Sequence, residues 1–255
     1  MIRVVMLLFF TLFMTWFQAA GAQSQDALDA FAAGQYDAAF ADVATDHGPD
    51  SCAFGARTLL AKAISGETQP PEALLVAALG EADRALAVQP DHIEGRLQKA
   101  IALSLLARPM SLRDARDSGY GEAARQLAEA VLADDPQNAY AHGFLAVWHI
   151  EVLNRGGFLG AMIMGASMDA AETHYAAAMA ASPGDASLHW QYARALAALS
   201  AWRYRNQITA ALDAALAAPV DSELERLMQA RARTLSAAIA TEKSRDVEAM
   251  AKLML

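Results

Sequence analysis

Histidine is the side chain here best placed to do chemistry. Four of the six histidines fall between positions 142 and 189. His142 and His149 are seven residues apart, so on a helix they share one face two turns apart. His174 and His189 fall on the helices that follow. Neutral imidazoles could ligate a transition metal, but a metal site needs its ligands at defined spacing. No HExxH motif occurs, nor any i, i+4 histidine pair supported by a carboxylate. These histidines are therefore expected to bond backbone carbonyls or water, with no metal and no cofactor. Cys52 is the only cysteine. An intramolecular disulfide and a cysteine-based zinc site are thus excluded. The Ala-rich helical stretch after Cys52 makes it a buried small hydrophobe.

Other catalytic signatures are missing too. The sequence has no G-x-S-x-G, no Ser-x-x-Lys and no Gly-rich phosphate loop between a strand and a helix. Asp134-Asp135 sits beside Pro136 and reads as a polar turn. No enzyme is expected. With 20 Lys and Arg against 29 Asp and Glu, the net charge is −9 and no basic run exists. Nucleic acid, whose phosphates need Lys/Arg clusters, is excluded as a partner. Ser200–Arg205 (SAWRYR) gathers two arginines and two aromatics. It could hold an acidic partner by charge and stacking, or it is a plain helix-to-helix turn.

The elements that must position these residues are helical. The apolar fraction is 55%, and only 8 prolines and 15 glycines interrupt it. Alanine dominates, as in packed helices that touch through small residues. At the N-terminus, Arg3 is followed by an apolar run, Val4–Phe17, broken only by Thr11 and Thr15, and then by Ala20-Gly21-Ala22. That is the pattern of a secretory signal peptide cleaved near Ala22. The run falls short of the roughly 20 residues needed to span a bilayer. An uncleaved segment would be the one membrane attachment. The expected location is periplasmic or secreted.

Regular punctuation follows. VQPDHIEG, DDPQNAYA, ASPGDASL and AAPVDSEL each hold a proline that ends one helix and a polar residue able to cap the next. Pro90, Pro136, Pro183 and Pro219 are spaced 46, 47 and 36 residues apart. Small residues recur before them: Ala78, Ala82 and Ala85; Ala171 and Ala178 around Tyr175; Ala211 and Ala214; and, one residue out of register, Ala123 and Ala130 around Leu127. Such spacing lets helices approach closely.

This pattern resembles the tetratricopeptide repeat (TPR), strongly from Pro71 to Pro219. With its leader, the chain is similar to exported TPR proteins of Gram-negative bacteria. The resemblance implies an all-α fold, a right-handed solenoid of antiparallel helix pairs. Two units exceed the usual length of about 34 residues. They carry long inter-helix insertions near Arg108–Gly119 and Arg155–Met168. The expected organisation is a signal peptide (1–22), N-terminal helices with a degenerate repeat (23–70), the TPR-like repeats (71–220) and a C-terminal capping helix or helices (221–255).

In the TPR family the first helix of each pair lines a concave groove. Carried onto this chain, the groove positions are Glu94, Leu97 and Ile101; Tyr140, Gly143 and Val147; and Ser187, Trp190 and Arg194. Glu94, Tyr140, Trp190 and Arg194 would bind a protein or peptide partner, although Tyr140 and Trp190 could equally pack against the second insertion. The first insertion is polar and reads as a solvated loop or short helix. The second carries Phe158, Leu159, Met162, Ile163 and Met164 among Gly156, Gly157, Gly160 and Gly165. It is either a short helix that fills a gap or a Met-rich lid hinged at its glycines, over a ligand or partner. The expected function is a binding or scaffold module. The alternative is a small-ligand-binding accessory of an envelope transport system. Oligomeric state is left open.

Overall fold

Most helix pairs begin where the sequence offers a side-chain cap. The computed structural model describes residues 23–66 and 69–254, so the expected signal segment lies outside it. Two short helices, α1 (Gln25–Ala32) and α2 (Tyr36–Val43), open the chain. Then come α3 (Pro49–Ile64), α4 (Glu72–Val88), α5 (Ile93–Ala107), α6 (Leu112–Asp117) and α7 (Tyr120–Asp134). The remainder are α8 (Ala139–Met164), α9 (Met168–Ala181), α10 (Ala186–Ser200), α11 (Arg205–Ala217), α12 (Glu223–Thr241) and α13 (Ser244–Leu253). No strand occurs among the described residues.

The proline punctuation acts through two hydrogen bonds. The first is the cap. His92, Asn138 and Asp185 each lie two residues past a proline and accept from the first-turn amides of α5, α8 and α10. Ser222, three past Pro219, forms a reciprocal capping box with Glu225 on α12. Each cap is worth about 1 kcal/mol. The second bond comes six residues past the proline. Arg96, His142 and His189 donate to the carbonyls of Pro90, Pro136 and Pro183 at 3.0, 3.1 and 2.9 Å. The two histidines thus close turns, as the lack of ligand spacing implies.

α3 packs on α4, α5 on α7, α8 on α9 and α10 on α11, while α5, α8 and α10 also pack in sequence along an inner row. Small side chains set the approach. Ala78, Ala82 and Ala85 are fully buried, as are Ala171 and Ala178. Before Pro136 the fully buried set is Ala124, Ala128 and Val131. The register slip expected there is therefore absent: these residues stand at the same offsets from their proline as the other two sets. In α11 the buried residues are Ile208, Ala211, Leu212 and Ala215 rather than Ala214. The main core joins α8, α10, α11, α12 and α13 around Trp190, Ile150, Leu196 and Met228.

The insertions differ from one another. The first is the short exposed helix α6. The second is no loop, because α8 runs through it to Met164, with one break at Gly157 (φ 58°, ψ −159°). Only glycine adopts that conformation readily. The tail is two helices, with Met228, Ala232, Leu235 and Ile239 of α12 buried, as their helical spacing implies.

Those last helices also bring the ends of the described chain together. Arg231 of α12 donates to the Ile64 and Gly66 carbonyls at 2.8 and 3.0 Å. Gly34 lies so close to Glu223 that an added Cβ would stand 3.0 Å from its side chain. α13 crosses the C-terminal ends of two inner helices. Glu248 accepts from the Ala201 amide at 3.0 Å, and Arg108 donates to the Lys252 and Met254 carbonyls at 2.9 and 2.7 Å.

Candidate interaction site on the inner face

α5, α8 and α10 present their N-terminal ends at one edge of the inner face, and α13 covers the other edge. The open edge is acidic. Glu94 is half-buried and pairs with Arg57 of α3 at 3.3 Å. Tyr140, in the first turn of α8, is 55% exposed. Burial of its phenol, reinforced by the nearby carboxylates of Asp185 and Glu225, pushes its pKa well above the usual value, slightly offset by Arg57.

The covered edge is basic. Glu151 is eleven residues along α8 from Tyr140, which is about 16 Å deeper. Its carboxylate receives the Arg194 Nη2–H at 2.7 Å. Burial works to raise the Glu151 pKa, yet Arg194, Arg108 and Arg155 together hold it below the ordinary range. Burial and the neighbouring Arg194 and Arg155 push Arg108 down to about 10. Arg155 donates to the Ala107 and Met110 carbonyls at 3.1 and 2.7 Å, which ties α8 to the end of α5. Arg194 also donates from Nε to Gln191 at 3.2 Å, while its Nη1 has no hydrogen-bond partner among the described residues.

The four expected contact residues therefore separate. Glu94 and Tyr140 lie at the open edge, available to a partner. Trp190 is fully buried in the main core, and Arg194 is 3% exposed. Neither presents a surface to a partner in this conformation. Leu97 and Gly143 are buried as well. A Cβ on Gly143 would stand 2.4 Å from Leu188 Cδ2, so the Leu188 side chain of α10 seats directly on the α8 backbone there. Family groove positions assume an open arc, and here the return of α12 and α13 covers part of it. Sequence reasoning missed Glu151, Arg155 and Arg108. Their charges are spread over 47 residues of an acidic chain and meet only in space.

The histidines form a separate cluster between α8, α9 and α10. His142 donates through Nε2 to Pro136, so its Nδ1 accepts from the His174 Nδ1–H at 2.9 Å. His149 stacks on His174 at 5.7 Å and is buried. Burial, then His174 and Arg125, push its pKa down to about 4. Tyr175 donates to His189 Nδ1 at 2.6 Å and stacks on Tyr192 at 3.7 Å. No group of three or more His, Cys, Asp or Glu able to hold a metal ion occurs among the described residues.

The segment beyond Gly157 forms the second feature. Phe158, Leu159, Met162 and Ile163 are 64–81% exposed. Ala161 is buried and, with the half-buried Met164, packs on Trp148, Phe144 and Leu153. The segment therefore has two apolar faces, and one of them is bare. Beside it opens a cleft of about 450 Å³ lined by Leu153, Gly157, Phe158, Met168, Leu199 and Arg203. Trp202 of the SAWRYR turn is 78% exposed next to it in sequence.

No protein-family model matches the sequence, and no curated protein matches it. Among solved structures, the chain is similar to a thermophilic TPR protein of Thermus thermophilus, with 21% identity and a TM-score of 0.54. The match covers 82% of this chain and 95% of that one. The stacked helix pairs, their proline-led turns and this likeness agree: the chain has the tetratricopeptide-repeat fold.

Proposed function

We propose that the protein is an interaction module that holds a polypeptide segment at the open edge of its inner face. The observation that carries this reading is Tyr140, a large aromatic left exposed in the first turn of α8. Aromatic residues combine large contact area with a polar tip and dominate binding energy at interfaces. Glu94, with Arg57, supplies charge beside it. Trp190 and Arg194 support the inner wall from behind rather than touching the partner. The work is recognition, not catalysis. The leader Met1–Ala22 supports export to the periplasm or beyond, which N-terminal sequencing of the native protein checks: a mature chain beginning at Gln23 agrees with it.

A photo-crosslinking amino acid at position 140, compared with one at 163, tests the binding face. Reproducible protein adducts at 140, lost on adding Glu94→Lys, support the inner-face reading. Adducts at 163 alone would overturn it. A second reading draws on the cleft beside Phe158, whose volume is in the range of small-molecule sites. It is an accessory that carries a small apolar ligand for an envelope transport system. A small molecule retained in native mass spectra and lost on Leu199→Trp would favour it.

A further inference from the structure

The bare face beyond Gly157 needs an occupant. Phe158, Leu159, Met162 and Ile163 stand at i, i+1, i+4 and i+5, so they form one helical face. That face projects as a knob, with exposures of 64–81%, and the cleft opens directly beside it, sharing Phe158 as part of its wall. A projecting apolar knob next to an open cleft walled largely by Leu153, Phe158, Met168 and Leu199 can be self-complementary. Under a two-fold rotation, the knob of each copy meets the cleft of the other, which is the arrangement an isologous dimer requires.

Size and charge agree. The four side chains together with Trp202 expose roughly 600–700 Å² of mostly apolar surface, taking aromatic side chains at about 150–250 Å² each. A stable pair commits about 800 Å² per partner, and the cleft walls supply the remainder. The cleft of about 450 Å³ has room for more than one aliphatic side chain. Arg203 is the one charged residue among those lining it, so the acidic net charge of the chain is kept off the contact. Gly157 and Gly165, both at positive φ, bracket the knob and set its angle to the rest of α8.

We propose that the protein is a two-fold homodimer in which Leu159, Met162 and Ile163 of each copy enter the cleft between Phe158, Leu199 and Tyr204 of the other. This contact lies at the C-terminal ends of α8 and α10, at the opposite end of α8 from Tyr140, and is independent of the inner-face reading.

Sedimentation velocity on the full chain, from about 1 to 100 µM, provides the test. The expected result is a dimer with a Kd below about 10 µM, weakened at least about 100-fold by Phe158→Asp with Ile163→Asp, with the helical circular-dichroism spectrum unchanged. Because the leader is present in both proteins, the difference isolates the knob. Position-specific evidence comes from mixing Ile163→Cys protein with Ser200→Cys protein under mild oxidation. Cys52 is buried and does not interfere. A disulfide-linked pair forming at least about tenfold faster in the mixture than in either protein alone supports the knob-in-cleft contact. A wild-type monomer at the highest concentration overturns the proposal, as does a dimer indifferent to the Asp pair or faster crosslinking of Ile163→Cys alone. Monomers that float with phosphatidylcholine–phosphatidylglycerol vesicles through Phe158 and Ile163, or that retain a small molecule in the cleft, would also overturn it.

Discussion

The two parts of α8 carry similar residues to different ends. From Ala139 to Gly156 the apolar side chains Leu145, Trp148 and Ile150 are buried against α7, α9 and α10, and the exposed side chains are polar or amphipathic. Beyond Gly157, Phe158, Leu159, Met162 and Ile163 face outward and nothing among the described residues covers them, while Ala161 stays buried. The break at Gly157 makes the difference, because it redirects the end of the helix so that only its Ala161 and Met164 side packs on Trp148, Phe144 and Leu153. An inner face built this way can be tuned only through the few residues at its open edge. An outer knob can change partners without disturbing the core.

That contrast sets the expected sizes of perturbation. Trp190→Ala should lose about 3–5 kcal/mol in urea unfolding, the usual effect of truncating a core tryptophan. A loss under about 1 kcal/mol would mean that the residue is not in the core. Acid should act next. Burial keeps His149 neutral in the fold, with a pKa of about 4 against 6.5 unfolded. The unfolded chain therefore takes up the proton first. The stabilisation is complete above pH 6.5 and is lost as the pH falls towards 4, by at most about 3 kcal/mol. His174, also shifted down by burial and by His142, adds in the same direction. His149→Gln should flatten the stability profile in that window, and an unchanged slope would point to other groups.

Gly157→Ala should lose about 1–3 kcal/mol from its backbone conformation alone. Because the knob depends on that angle, the same substitution should weaken self-association, whereas Gly160→Ala, a helical position with open space for a Cβ, should not. The smallest effect falls on the knob. Changing Phe158, Leu159, Met162 and Ile163 to Ser should alter monomer stability by no more than about 0.5 kcal/mol per site, measured at dilutions where no dimer persists. A large loss there would show that the segment is structural filler, and the contrast between the two parts of α8 would fail.

Much of the fold was legible in the sequence. Prolines with capping residues two or three places later, and alanines at repeated offsets, encode local geometry that any helix pair must obey. The bonds of His142 and His189 to backbone carbonyls were legible too. Exposure at the expected groove positions was only half legible. Tyr140 and Glu94 sit near helix starts, where a family position predicts exposure. Trp190 and Arg194 sit deeper, where exposure depends on what packs opposite. The apparent slip before Pro136 arose because alanines occupy both possible faces of α7, and only packing chose Ala124 and Ala128.

The sequence by itself determined the helix pairs, their turns and their repeat, because these rest on contacts between residues close in the chain. Tertiary structure alone decided the return of α12 and α13 to the N-terminal helices. It also gathered Glu151 with Arg108, Arg155 and Arg194, and left Phe158 to Ile163 bare. Each of these outcomes depends on groups far apart in the chain meeting, or failing to meet, in space, and no local pattern of residue types encodes such an encounter.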